Sequence, residues 1–328
     1  ASRSGTTMLR LMLNTHSRLA VPDELGYFRH VEGKHDLGEW DTPLSETDVR
    51  ALVQGFVEKN AESLGAERTD LEAIALAGPD RTLRGPFQAL LDDWARRNGT
   101  ERWGEKTPHN IFYVDVIADM FPEAQFIHVV RDPRAVVQSM NSSPYYSNET
   151  VFNALNWRKS IREGERLLNA HLRPERRQTV RYEDLVCHAE STLRSVCSFL
   201  GEAFEPKMLR FYETADQHMA GPIRTPSIKG PVHQKGLSKW RRRLPASDVA
   251  GIEGLCREEM RALGYEETGP PAVRLGLLPR VLYWRWKAWQ HRNRRGFEVG
   301  FPFLSGVYHL SRSLKGPGPD SSQSQIEP

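Results

Sequence analysis

The sequence predicts an α/β fold in which a parallel sheet carries helices on both faces. Two observations predict it. Short apolar runs at 125–130 (QFIHVV) and 179–182 (TVRY) are each followed by a turn and then a helical pattern. The chain also opens on Arg3-Ser4-Gly5-Thr6-Thr7, a glycine-containing turn that runs straight into the helix-favouring stretch MLRLML at 8–13. With 328 residues, 39% of them hydrophobic, the chain can bury one large core or one domain with a sizeable insertion.

After the opening helix, LAVP at 19–22 reads as a short buried strand that Pro22 ends. Residues 33–104 read as a mostly helical insertion. Within it, Ser45 and Asp48 make a capping-box pattern ahead of Val49, Leu52, Val53 and Phe56, spaced i, i+3, i+4, i+7. Phe87, Leu90, Leu91 and Trp94 repeat that spacing behind Pro86. In EKTPHNIFYVDVIADMF, Thr107 is placed to cap a helix whose first turn holds Pro108. Ile111, Val114, Ala118 and Phe121 form its apolar face. The strand at 125–130 ends in the turn Arg131-Asp132-Pro133 and another helix. A helix around 153–168 leads to the strand at 179–182, then to a helix with Leu193, Val196, Cys197 and Leu200 on one side. Residues 220–238, rich in Gly, Pro, Lys and His, read as a long loop of the kind that is either a functional lid or disordered. A last regular helix covers about 247–263.

Forty-five basic residues against 42 acidic ones leave a net charge of +3, which argues against a nucleic-acid partner. Cys187, Cys197 and Cys256 are too few and too scattered for a disulfide framework or a zinc site. A reducing compartment, and so a cytoplasmic location, is the expectation. No run approaches the length of a membrane span. Residues 268–312 form a basic extension in which Trp284, Trp286 and Trp289 alternate with Arg and Lys. Two readings suit it: a helix docked on the domain by its Trp face, which we favour, or a peripheral membrane contact through 277–295. Residues 313–328 read as a disordered polar tail.

The opening turn is an anion cradle by chemistry. A Gly-containing turn entering a helix aims several backbone N–H groups at one point, and the helix dipole adds about half a positive charge there. Arg3 brings a forked donor; Ser4, Thr6 and Thr7 bring hydroxyls. A kinase or GTPase loop would read GxxxxGK[ST]. Here no Lys follows the Gly and no Asp-rich strand follows the helix, so the expected occupant is a phosphate-like group with no metal. By itself the turn also fits a Ser/Thr-capped helix behind a surface loop.

RSGTT opening a helix, EKTP about 100 residues on, VRDPRAVVQSM, VRYEDL and GLSKW form an ordered set. In that order they resemble the PAPS-dependent sulfotransferases, whose donor is 3′-phosphoadenosine 5′-phosphosulfate. Within that group the chain is most similar to the bacterial-type enzymes that share motifs with tyrosylprotein sulfotransferases. The resemblance covers about 1–265 of a sulfotransferase domain set at 1–267. It implies a P-loop-like parallel sheet, PAPS as co-substrate, PAP as product and no metal. It also implies a central strand ahead of the opening loop, so a fragment lacking that first strand is expected.

Residue roles follow from the same resemblance. Arg3, Ser4, Gly5, Thr6 and Thr7 match the loop that holds the 5′-phosphosulfate, with Arg3 and Lys106 beside the leaving oxygen. Arg131 and Ser139 match the 3′-phosphate pair, and Arg131 falls at a strand's carboxyl end, where open α/β sheets bind ligands. Tyr182 matches the nucleotide pocket, and Ser238 and Lys239, with Trp240, the loop that closes over it. Counting from RSGTT puts the catalytic base on Glu24, with Asp23 as its rival. Blander readings stand beside these. Lys106 could be solvated, Ser139 a helix-surface residue and Tyr182 a buried strand end. Asp23 and Glu24 could cap the next helix. Arg134 reads as an exposed ion-pair partner, and His16, His109 and His128 as structural. The paired cysteines that brace the tyrosylprotein enzymes are absent, since Pro22 and Glu105 occupy the matching neighbourhoods. The acceptor is therefore expected to offer a hydroxyl or amine on a small molecule, glycan or lipid ahead of protein tyrosine. The insertion and residues 143–150 are expected to shape its pocket. Two competing functions remain: a kinase-like P-loop phosphotransferase, which magnesium would mark, and a catalytically inactive PAPS-binding protein.

Overall fold

The computed structural model describes residues 1–146, 148–219 and 228–269. The expectations for 220–227, for most of 268–312 and for 313–328 fall outside them, as does any strand ahead of Ala1. Contacts divide the chain after Gly296, and the description concerns the first unit.

Helix α1 (Thr6–Asn14) buries Met8, Leu9, Leu11 and Met12. The chain returns from it to strand β1 (Leu19–Ala20) under the control of Asn14. That side-chain amide imitates a strand partner: Nδ2 donates to the Val21 carbonyl at 2.8 Å, and Oδ1 accepts from the Val21 N–H at 2.5 Å. Strand β1 pairs in parallel with β2 (Arg102–Trp103), Leu19 opposite Arg102. Strand β3 (Phe126–Val130) pairs in parallel with β4 (Arg177–Arg181), placing Val130 opposite Arg181.

The expected single sheet is thus present as two parallel pairs, and among the described residues no strand bridges them. A cavity of about 660 Å³ is lined by both: by Leu19 and Trp103 of one pair, by Phe126 and Val129 of the other, and by Leu9 and Leu13 of α1.

Between the members of the first pair come α2 (Tyr27–Glu32), α3 (Glu46–Leu64), α4 (Arg68–Ala77) and α5 (Arg84–Arg97). Strand β2 falls at the end of the stretch read as helical insertion; two residues are too few to leave a periodic signal. Ser45 caps α3, accepting from the Asp48 N–H at 3.1 Å. Aromatic packing closes this part, with Tyr27 and Phe87 stacked at 4.1 Å and Phe56 edge-on to Tyr27.

The helix expected from Pro108 is corrected. Residues Pro108–Phe112 form a 3₁₀ helix, Tyr113 breaks the regular dihedrals at φ −122°, and α6 (Val114–Met120) follows. Thr107 does not cap it, because its hydroxyl is committed to Glu105 and to the Gly26 N–H.

The remaining helices are α7 (Pro133–Asn141), α8 (Thr150–His171), α9 (Tyr182–Cys187), α10 (Ala189–Leu200), α11 (Trp240–Arg243) and α12 (Ala246–Ala262). Successive strand residues face opposite sides of a sheet. Val129 accordingly joins a core with α1 and α10, while Val130 joins one with α7, α8 and α12. Strand β3 is therefore covered on both faces, as an α/β fold requires, and its carboxyl end emerges between the two layers.

Candidate active site

At that end the opening turn, β3 and β4 meet. Arg3 and Gly5 both adopt positive φ, 62° and 90°. Gly5 is required twice over: the left-handed backbone favours it, and a Cβ there would lie 2.2 Å from the Tyr182 ring. Gly5 is the N-cap residue of α1 and no side chain caps the helix, so the hydroxyls of Ser4, Thr6 and Thr7 are not spent on capping. The first-turn N–H groups remain open to an anion.

Around this turn the anion donors converge. Arg3 Nε donates to Ser139 Oγ at 3.1 Å, across 136 positions of sequence. Arg131 donates from Nη1 to the Arg3 carbonyl and from Nη2 to the Gly236 carbonyl, both at 3.1 Å. Its guanidinium lies 4.2 Å above the Tyr182 ring. Register explains the contact, since Arg131 and Tyr182 immediately follow the paired residues Val130 and Arg181. Burial lowers the Arg131 pKa and raises that of the Tyr182 phenol. Arg131 Nε and Ser4 Oγ are buried without a hydrogen-bond partner among the described residues. Leaving such groups unsatisfied is costly, and phosphate oxygens are suitable acceptors for each.

The side chains of Ser238 and Lys239 are exposed and make no hydrogen bond among the described residues. Their loop meets the site instead through the Gly236 carbonyl and through Trp240, which is buried against Arg134 at 4.2 Å. Arg134 is a correction. It is buried rather than exposed, ion-paired with Asp132 at 2.7 Å and with Glu253 at 2.6 Å. It fastens the Trp240 loop and α12 to the turn after β3.

A second cluster is built from the β1 end and the loop after β2. Lys106 Nζ donates to Glu24 Oε1 at 2.5 Å, and Asp23 Oδ1 lies 3.8 Å from the same ammonium. Helix α2 is capped by Gly26 without a side-chain hydrogen bond, so neither carboxylate serves as its cap. The two acids differ in freedom. The Glu24 side chain is 49% exposed, whereas that of Asp23 is 18% exposed. Asp23 also accepts from the Glu24 N–H at 2.9 Å and faces Arg10 at 3.6 Å.

Arg10 is a residue that sequence reasoning missed. It is 1% exposed, donates to the Val21 carbonyl at 3.3 Å, and ties α1 to the Asp23 turn. Burial lowers its pKa, and the Asp23 and Glu24 charges counter that. A charged residue inside MLRLML was the available signal. Thr6, Arg10 and Lys106 all line the cavity between the strand pairs. His109 and His128 are buried, and burial lowers both imidazole pKa values, to about 4 for His109.

One side of this arrangement can hold a phosphorylated anion, and the other offers a carboxylate and an ammonium within hydrogen-bond reach. The chain is similar to known proteins. A family model described as "Sulfotransferase family" matches residues 1–206. Protein-tyrosine sulfotransferase of Drosophila melanogaster is 23% identical over 280 residues, covering 82% of this chain and 51% of that protein. Omega-hydroxy-beta-dihydromenaquinone-9 sulfotransferase Stf3 of Mycobacterium tuberculosis is 27% identical over 164 residues, 44% of this chain and 41% of that one. The chain thus spans about half the length of the curated relatives it matches. Among solved structures, the sulfotransferase domain from the curacin biosynthetic pathway shares the fold with a TM-score of 0.58 at 22% identity, covering 81% of this chain and 95% of that one.

Proposed function

The chain belongs to the sulfotransferase family, and from that premise we propose that it moves a sulfuryl group from PAPS to a hydroxyl or amine acceptor by in-line displacement. The observation that carries the proposal is the convergence of Arg3, Arg131 and Ser139 on the opening turn, with two buried polar atoms there lacking partners among the described residues. An ordinary adenine diphosphate would leave a 3′-phosphate site of this kind empty.

Glu24 takes the acceptor proton as the new acceptor–sulfur bond forms. The sulfur–oxygen bond to the 5′-phosphate breaks, and its electron pair stays on the phosphate oxygen. Lys106, Arg3 and the first-turn amides of α1 stabilise that growing charge. In the free protein Glu24 and Lys106 neutralise each other; on binding, each turns to its own side of the transferred group. No step needs a metal. The relatives' names refer to a tyrosine and to an omega-hydroxyl, which supports a hydroxyl acceptor. We assign it to a small molecule, glycan or lipid.

Thermal shift tests the nucleotide assignment. At about 100 times its dissociation constant, PAP should add roughly 2.7 kcal/mol to stability, and ADP far less. Equal shifts would remove the 3′-phosphate site. Transfer of radiolabelled sulfate into a metabolite extract should also survive EDTA; loss restored by magnesium would favour phosphoryl transfer.

A further inference from the structure

We propose that Glu105 and Thr107 form a clamp that sets Glu24 against Lys106, making Glu105 a positioning residue of the transfer reaction. The inference rests on the roles just given to Glu24 and Lys106.

The need for a clamp arises from where the strands stop. The β1–β2 ladder ends with the Gly104 N–H donating to the Ala20 carbonyl at 2.9 Å. Beyond it Pro22 carries no N–H, so the ladder has no donor to continue with on that side. Glu24 lies four residues past the end of β1, and Lys106 three past the end of β2. Both catalytic side chains therefore stand on loops that the sheet no longer holds in register.

Side chains replace the ladder there. The Leu25 N–H faces the Glu105 carboxylate and helps to keep it charged. Thr107 Oγ accepts from the Gly26 N–H at 3.0 Å and donates to Glu105 at 2.5 Å. Glu105 also accepts from the Thr107 N–H at 3.1 Å and from the Asn110 amide. The two residues that follow Glu24 are thus tied to the two residues that flank Lys106. One carboxylate gathers donors from both loops, which is how a positioning group acts at an active site.

Glu105 is an unlikely residue to find there on grounds of charge alone. Burial raises its pKa and the Glu24 charge adds to that, while the Thr107 hydroxyl, the Lys106 charge and the Leu25 N–H act the other way. A neutral amide could make only part of this set, because its NH₂ would face the donors of Thr107 or Asn110.

The test is a double-mutant cycle on the full chain, using initial rates of radiolabelled sulfuryl transfer from saturating PAPS into a metabolite extract. Glu105→Gln should lower kcat by about 10- to 100-fold through misplacement of Glu24, with KM for PAPS changed by less than about threefold. Adding Glu105→Gln to Glu24→Gln should cost little more, since a positioning residue has nothing left to position. Thr107→Val should give the same pattern more weakly, and it carries the test if Glu105→Gln does not fold. A near wild-type rate in both variants would overturn the clamp, as would a double variant whose loss is the product of the single losses. A wild-type rate in Glu24→Gln would instead overturn the functional reading, and the clamp's role in catalysis with it.

Discussion

Replacing Glu24 by Gln removes one charge and almost no volume, so it separates chemistry from structure. The Glu24 side chain is 49% exposed, and its ion pair with Lys106 at 2.5 Å therefore stabilises the fold by no more than about 1 kcal/mol. A loss of that size lowers Tm by roughly 2–4 °C in a chain of this length. General-base catalysis is worth about 10²–10⁴ in rate, equivalent to about 3–5 kcal/mol of barrier. Glu24→Gln should therefore lose most of kcat, while its melting temperature falls by no more than those few degrees and its PAP-induced shift is kept. Asp23→Asn should do the reverse. Asp23 faces the buried Arg10 at 3.6 Å, and removing its charge strands that guanidinium, at a cost of up to about 3 kcal/mol. The assay pairs initial rates of transfer from labelled PAPS with thermal melting of the same samples. Near wild-type turnover by Glu24→Gln would refute the assignment. So would an Asp23→Asn protein that is folded, binds PAP and is inactive.

Three further outcomes follow from the geometry. Gly5→Ala should cost at least about 1–2 kcal/mol for its left-handed backbone and should abolish the PAP shift, because the new Cβ displaces the Tyr182 ring beneath Arg131; a retained shift would mean the turn does not hold the nucleotide. Trp240→Ala should weaken PAP binding more than it lowers kcat at saturating PAPS, since it frees the loop whose Gly236 carbonyl meets Arg131; an unchanged dissociation constant would place the loop outside the nucleotide site. Burial depresses the His109 pKa from 6.5 to about 4, so the folded protein binds fewer protons than the unfolded chain between those values. That stability is present above pH 6.5 and is lost as pH falls toward 4, by about 3 kcal/mol in all; a His109→Gln protein should melt with a shallower acid dependence, and an identical profile would exclude His109 as the cause.

What was legible in the sequence was whatever the local backbone decides. The turn Arg3-Ser4-Gly5-Thr6-Thr7 leads into α1, and QFIHVV forms a strand that ends at Arg131, because strand, turn and helix signals are short-range. The ordered motifs gave the family, and the match over 1–206 spans the first four of them. Long-range partners were not legible. Nothing near Arg134 in sequence announces Glu253, 119 residues on, and nothing near Arg10 announces its burial beside Asp23 except its place in an apolar run. Strand β2 holds two residues and exists only because β1 lies beside it. Thr107 shows the converse: its local signal is a helix cap, but a contact 81 residues away takes its hydroxyl. Tertiary hydrogen bonding overrode a local preference worth about 1 kcal/mol.

Helix α1 joins the two clusters that we propose form one site. Its N-terminal turn meets Arg131 and Ser139 through Arg3, and seven residues further along, Arg10 meets Asp23 beside Lys106. An α-helix rises 1.5 Å per residue, so the four residues from Thr6 to Arg10 set a spacing of about 6 Å along its axis. The helix is rigid because Leu9, Leu11 and Met12 are buried between the strands and α10. Packing of an apolar face thereby holds the opening turn and Arg10 in a fixed relation. Loosening that face, for instance by replacing the fully buried Met12 in Met12→Ala, should reduce kcat in the transfer assay, and an unchanged kcat would show that the packing of α1 does not set the geometry.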